Sequence, residues 1–350
     1  MRKNENENPC AQRLADFAKA VRRRRLDAAV VFNQANIRSL TGVDCDSAAL
    51  VVAPAGGVAP RLYTDFRYAP MVRRVAPWLR VSDSKRLDFP GARVGYESTI
   101  PHARFLKLQK RHKRAKFVDI DGDVKSLRAV KTADEAAKVR AAARLNDEIW
   151  AEAQESFRPG MTELDMARVI RRLMVERGDG EAFETIVCVG ANAAECHHVP
   201  DGTVWNGRDP VLVDMGVKLG GWCSDMTRDI VPGRPSALYR KVYDTVLEAN
   251  LAAIDALRPG MTCAELDRVA RRLIARAGFG RCFGHSLGHG VGLEVHEAPS
   301  VMKGEKAVLK PGMVVTIEPG IYLEGNLGVR IEDLVLVTEG GCEVLSASAK

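Results

Sequence analysis

Apolar residues recur at helical spacing over positions 11–25, and short apolar runs follow at DAAVVF (27–32), ALVVA (49–53) and RLYTDF (61–66). The first pattern predicts an amphipathic helix and the runs predict strands, with a further helix over 67–76. GARVGYE (91–97) opens another strand-helix unit, and the pattern closes at VDID (118–121). Strands alternating with helices predict an α/β domain. It contains no glycine-rich phosphate loop and no catalytic cluster, so a structural or oligomeric role is expected of it. The first ten residues, MRKNENENPC, are mostly polar and expected to be disordered.

A boundary near Val124 to Lys131 divides the chain into 1–125 and 126–350. Thr132-Ala-Asp-Glu135 has the spacing of a capping box, and the alanine-rich segment behind it predicts a helix to about Phe157. The second part then repeats itself. Arg158-Pro-Gly-Met-Thr162 recurs as Arg258-Pro-Gly-Met-Thr262, and each copy leads into a helix containing RRL. His197-His-Val-Pro200 is echoed by His296-Glu-Ala-Pro299, and Asp214 and Asp225 are echoed by Glu318 and Glu332 as carboxylates in successive strands. Two facing copies of one helix-plus-strands unit would bring such residues together at a pseudo-two-fold axis.

Asp214 closes the run VLVD, Asp225 lies in CSDMTRDIV, and FGHSLGHGVGLEVHEAP, KPGMVVTIEPG and GVRIEDL supply His289, Glu318 and Glu332. Four carboxylates flanked by Val, Ile, Leu and Met must lie at or inside a core, where like charges are costly unless neutralised. Two divalent cations would cancel four negative charges. Oxygen-rich ligation with a single imidazole suits Mn, Co, Fe or Zn, and paired metals about 3.5–4 Å apart are a recurring device for hydrolysis. Asp214, Asp225, His289, Glu318 and Glu332 are therefore expected to form one metal site.

Composition narrows the class without naming a chemistry. The chain has 350 residues, 46% apolar and 28% charged, enough for a sizeable core in two domains. Its net charge of +7 is uneven: residues 1–130 hold 26 Lys+Arg against 13 Asp+Glu, which leaves 26 against 32 for the remainder. The basic runs Arg22 to Arg25 and Lys107 to Lys116 lack interleaved aromatics, so a solvated helix face is expected rather than a nucleic-acid patch, with His102 and His112 on the surface. Eight cysteines show no CxxC spacing and are expected to be reduced; Cys196 and Cys223, near the proposed ligands, are not expected to bind a hard cation. No apolar run resembles a signal sequence or a membrane span, so a cytosolic protein is expected.

HSLGHGVGLEVHEAP, TIEPGIY, GVRIED and the VDMG…SDMTR pair resemble those of the "pita-bread" metallopeptidases, in the proline-directed branch of Xaa-Pro aminopeptidases and Xaa-Pro dipeptidases. The resemblance spans the whole chain. It implies an α/β N-terminal domain of the creatinase/prolidase type over 1–125, and an α+β pita-bread catalytic domain with an internal pseudo-two-fold repeat over 126–350. By resemblance, Asp214 would bind one metal, Asp225 and Glu332 would bridge two, and His289 and Glu318 would complete the other, manganese being the first expectation and Co, Zn or Fe alternatives. Glu318 would also shuttle a proton. His197 and His296 would contact substrate, His285 matches a histidine of the proline-directed members, and Arg330 would hold Asp225 or Glu332 in place. His198, Glu297 and Asp333 are expected to face away from the site. The implied substrate is a peptide with proline second, and the implied assembly is a homodimer through the N-terminal domain. Relatives with the same fold serve as non-catalytic binding modules or work without metal, and the complete ligand set argues against both for this chain.

Overall fold

The computed structural model describes residues 9–54 and 59–350, so the disorder expected of the first ten residues lies outside the described part for residues 1–8 and is corrected at Pro9 and Cys10, which open a helix. The chain divides into two compact units, one ending at Arg128 and one comprising Ala129–Lys350.

In the first unit the elements run α1 (Pro9–Arg23), β1 (Ala28–Val31), α2 (Gln34–Thr41), β2 (Ala48–Val52), β3 (Arg61–Thr64), α3 (Ala69–Val75), β4 (Arg80–Asp83), β5 (Arg93–Tyr96), α4 (His102–Arg111), β6 (Lys116–Asp119) and α5 (Asp121–Ala129). The strands form one six-stranded sheet in the order β4-β3-β2-β1-β5-β6. Central β1 and β2 are buried on both faces, which is why AAVV and AALVV read as unbroken apolar runs. Three elements had no sequence signal strong enough to predict them. Helix α2 starts at Asn33, whose side chain caps the Asn36 N–H, and ends at Gly42. Edge strand β4 is only partly buried. Helix α5 runs through the segment predicted as a boundary. Helix α4 buries only Leu108, in keeping with a solvated basic face. His112, expected on the surface, instead stacks on Phe89 with ring centroids 4.0 Å apart.

The second unit runs α6 (Ala133–Ser156), α7 (Glu163–Arg177), β7 (Ile186–Val189), β8 (Val211–Met215), β9 (Lys218–Leu219), β10 (Trp222–Cys223) and β11 (Met226–Ile230). It continues through α8 (Ala237–Ala256), α9 (Cys263–Arg276), β12 (Gly288–Gly290), β13 (Glu297–Val301), β14 (Val314–Ile317), β15 (Gly320–Leu323), β16 (Leu327–Arg330), β17 (Asp333–Val337) and β18 (Cys342–Val344). The capping box at Thr132 is formed on both sides. Each half is a helix pair laid on antiparallel strands. Helices α6 and α7 share a core with β7, β8 and β11, whereas α8 and α9 share one with β14, β16 and β17.

The repeated RPGMT segments fold alike. Gly160 and Gly260 N–H groups donate to the carbonyls of Trp205 and Leu309, and Met161 and Met261 carbonyls accept from the same two residues. Arg158 and Arg258 each turn a guanidinium back onto the last carbonyls of the preceding helix. Thr162 and Thr262 then open α7 and α9 with capping boxes closed by Asp165 and Glu265. A bridge from each threonine, to Val204 and to Val308, fixes where the following loops return.

Candidate metal centre

Each predicted ligand sits on or beside the end of a strand. Asp214 is on β8 and Asp225 directly precedes β11, its antiparallel partner. His289 is the middle residue of β12, wedged between β13 and β14 so tightly that a Cβ on Gly288 would lie 2.0 Å from Thr316 O and one on Gly290 2.3 Å from Ala298 O. Only glycine permits that approach on either side of the histidine. Glu318 directly follows β14, and its N–H donates to Leu287 O at 2.8 Å. Glu332 joins β16 to β17, and its N–H donates to Thr227 O at 3.2 Å. Residues from both halves of the repeat are thus tied to each other by backbone bonds within a residue or two of the ligands.

Several of these side chains come together. Ligand atoms of Asp225, His289 and Glu332 all lie within 4.8 Å of one another. His289 Nε2 is 3.3 Å from Glu318 Oε1 and 3.6 Å from Asp225 Oδ2. Its Nδ1 lies 3.2 Å from Gly290 O, so in the neutral ring the proton belongs on Nδ1 and Nε2 is the atom left for a cation. Asp214 Oδ2 receives Arg330 Nη2 at 2.7 Å, while Asp214 Oδ1 is buried with no hydrogen-bond partner. Neither ligand-like grouping among the described residues includes a cysteine; Cys223 Sγ faces Leu293 O.

Burial, and after it the repulsion of Glu332, Asp214 and Glu318, pushes the Asp225 carboxyl well above the usual carboxylate range. Glu332 is raised in the same way, by burial and then by Glu318 and Asp214. Asp214 is raised by burial against the pull of Arg330. Burial also acts to raise Glu318, but its contact with His289 outweighs that and holds it low. His289 is raised against burial by Glu318. Without a cation this cluster must keep protons to offset its own charge, and an oxygen of Asp214 has nothing to bind. Hard divalent cations fit that donor set.

Arg330 was expected to hold Asp225 or Glu332, and the structure corrects its partner. It holds Asp214, donates through Nε to Thr227 Oγ1 at 3.0 Å and through Nη1 to the Tyr322 hydroxyl at 2.9 Å. Thr227 in turn donates to Glu332 Oε2 at 2.7 Å. His285 Nδ1 lies 2.8 Å from Ser286 O and Nε2 lies 2.9 Å from the Tyr322 hydroxyl, so both ring nitrogens are engaged. Burial lowers the His285 pKa, with Arg330 adding to it, which keeps the ring neutral. Burial raises the Tyr322 hydroxyl, so it stays protonated and donates to His285.

His296 is exposed, its ring centroid 4.3 Å from that of His289. His197 is exposed on the loop after the 3-10 turn Gly190–Ala194. His198 faces away as expected, though the chain there turns rather than running extended: its N–H returns to Glu195 O. Glu297 pairs with buried Lys131, and Asp333 with buried Arg228. Sequence reasoning missed Thr227, Tyr322 and Thr316, the last of which accepts from His289 N–H and donates to Glu318 Oε1. Thr227 could have been found two positions after Asp225, on the same strand face. Tyr322 could not, because it reaches Arg330 across the β15–β16 hairpin, whose register sets Gly320 opposite Arg330.

A family model described as metallopeptidase family M24 matches residues 137–339, and one for the creatinase/prolidase N-terminal domain matches residues 13–130. The chain belongs to metallopeptidase family M24. It is a metal-dependent peptidase, with a creatinase-type N-terminal domain and a pita-bread catalytic unit. It is 39% identical over 258 residues to a Xaa-Pro dipeptidase of Pyrococcus furiosus, which covers 73% of this chain and 74% of that one. The prolidase structure of Pyrococcus horikoshii superposes with a TM-score of 0.92 at 31% identity, covering 97% and 99% of the two chains. An X-Pro aminopeptidase structure from Thermotoga maritima gives 0.83 at 31% identity, covering 93% and 96%. No helix among the described residues is long and apolar enough to cross a membrane.

Proposed function

We propose that this chain is a Xaa-Pro dipeptidase whose catalytic work is done by residues 126–350, and that Asp214, Asp225, His289, Glu318 and Glu332 hold two divalent cations. The observation that carries the reading is the buried cluster of four carboxylates and one imidazole, in which Asp214 Oδ1 has no partner. Cations held there supply Lewis acidity and a water of lowered pKa. Glu318 Oε1 is engaged by Thr316 and His289, while among the described residues Oε2 has only His285 Nδ1 near it at 3.9 Å, so Oε2 is the oxygen proposed to take a proton and return it to the leaving proline nitrogen. Proline makes a tertiary amide without an N–H, so the site must grip the ring and the flanking polar groups. His296, with its ring 4.3 Å from that of His289, and His197, exposed on the loop after the 3-10 turn, are the donors proposed for the substrate's oxygens. With both nitrogens occupied, His285 offers the substrate a ring surface rather than a hydrogen bond.

Comparing Ala-Pro, Ala-Pro-Ala and Ala-Ala-Ala under one metal condition tests the reading. Cleavage of Ala-Pro is expected; preference for Ala-Pro-Ala would make the enzyme an aminopeptidase, and equal release of alanine from Ala-Ala-Ala would refute proline direction. Manganese as the ion, a cytosolic location and a homodimer formed through the N-terminal unit belong to the same proposal. Metal analysis, fractionation and sedimentation decide them.

A further inference from the structure

Behind each of the two exposed histidines stands a buried charged anchor. His198 turns inward directly after His197, and its Nε2 lies 2.7 Å from Glu163 Oε2. Glu163 is the first residue of α7 and its side chain is fully buried. Its Oε1 accepts from Val189 N–H at 2.7 Å and Asn192 Nδ2 at 2.9 Å, and its Oε2 accepts from Asp201 N–H at 3.0 Å in addition to His198. All four donors belong to the segment 189–201 that carries His197. The other side of this segment is closed by β16, where a Cβ on Gly328 would lie 1.7 Å from Ala193 O. Arg330 Nη1 reaches Cys196 O at 3.4 Å.

The second half of the repeat solves the same problem with different residues. His296 is followed by Glu297, whose carboxylate pairs with Lys131 at 3.3 Å and accepts from Glu294 N–H at 3.0 Å. The repeat counterpart of Glu163 is Cys263, buried with its thiol pKa raised by burial to about 12. A carboxylate at this position is therefore not a requirement of the repeat. Glu163, His198 and Asp201 are also close enough to suggest a cation site. Glu163 already has four donors, however, and Asp201 is turned to Thr203 N–H at 2.7 Å, so the charge is met from within the protein.

We propose that the Glu163–His198 pair is a positioning latch that fixes His197 over the metal centre. The proposal rests on the peptidase reading only for what His197 then does. Burial works against charge on His198, but Glu163, with Glu195 and Asp201 adding, raises its pKa and favours the ion-paired form.

A double-mutant cycle on kcat/KM with Ala-Pro tests the latch. His198→Ala is expected to lower kcat/KM by about tenfold or more, mainly in kcat, with metal content and melting temperature close to wild type. In a His197→Ala background the same change should cost less than about twofold, because the residue it positions is gone. His198→Gln, which can still donate to Glu163, should recover part of the loss, and Glu163→Gln should reproduce it from the other side. An equal loss in both backgrounds, or a wild-type rate in His198→Ala, overturns the latch. If the wild type cleaves no peptide, the functional reading fails, and imidazole NMR decides the latch alone. His198→Ala must then shift the His197 ring signal while those of His285 and His289 stay in place; an unmoved His197 signal overturns it.

Discussion

Thr227→Val removes one hydroxyl from the middle of the centre while nearly keeping the side chain's shape. In the wild type that hydroxyl is fully buried, accepts from Arg330 Nε at 3.0 Å and donates to Glu332 Oε2 at 2.7 Å. A hydrogen bond involving a charged group contributes about 1.5–3 kcal/mol and a neutral one about 1 kcal/mol. In the metal-free protein Arg330 is charged, whereas burial, with Glu318 and Asp214, raises Glu332 and favours its neutral form. The two bonds together are then worth about 2.5–4 kcal/mol. At about 2–4 °C per kcal/mol for a unit of this size, the metal-free melt should fall by about 5–16 °C. With cations bound Glu332 must be ionised, so losing the hydroxyl also frees a proposed ligand to rotate, and metal affinity should drop about 10–100-fold. Titration of metal-free protein with manganese, read by calorimetry, gives the affinity, and activity against metal concentration should shift in parallel and recover at saturation. Wild-type affinity in the variant, together with an unchanged metal-free melt, would refute the claim that Thr227 orients Glu332.

Asp225→Asn should abolish nearly all activity and lower bound metal, yet leave the metal-free melt equal to or above wild type, because it relieves a repulsion that raises Asp225 and its neighbours; a lower metal-free melt would contradict the electrostatic account. For Asp225, Glu332, Asp214 and His289 the folded pKa is raised, so the folded state holds more protons than the unfolded one and their contribution is lost as pH rises. Glu318, held low, acts the opposite way, losing its contribution as pH falls through its own range. As pH rises above the ordinary carboxylate value of about 4, and for His289 above the ordinary imidazole value of about 6.5, the metal-free protein should therefore lose stability while the metal-loaded protein does not, and metal binding should release protons, measurable by calorimetry in two buffers of different ionisation enthalpy. Gly328→Ala sets a methyl against Ala193 O and should cost at least about 1–3 kcal/mol, with kcat falling as the His197 segment is displaced; an undisturbed kcat would show that β16 does not fix that segment.

Patterns local in sequence were legible without a structure. The apolar runs of β1, β2 and β3, the capping box at Thr132 and the duplicated RPGMT segments each depend on residues a few positions apart. All of them appear where periodicity and cap chemistry put them. The five proposed ligands were legible for a related reason: a carboxylate or imidazole that interrupts a buried strand carries a desolvation cost that only a few chemistries can offset. Short α2 and edge strand β4 escaped notice because caps and partial burial, rather than a strong period, define them.

What the tertiary structure alone decided is how the ligands are held. Asp214 and Arg330 are 116 positions apart, and Thr227 and Glu332 are 105 apart. Which pairs meet depends on how the two halves of the repeat face each other and on the register of β15 against β16. The same holds for Glu163 and His198, and for His112 against Phe89. A residue type and its spacing limit what a side chain can do, but an interior hydrogen bond needs its partner within about 3 Å at a suitable angle. Only the folded chain sets that distance.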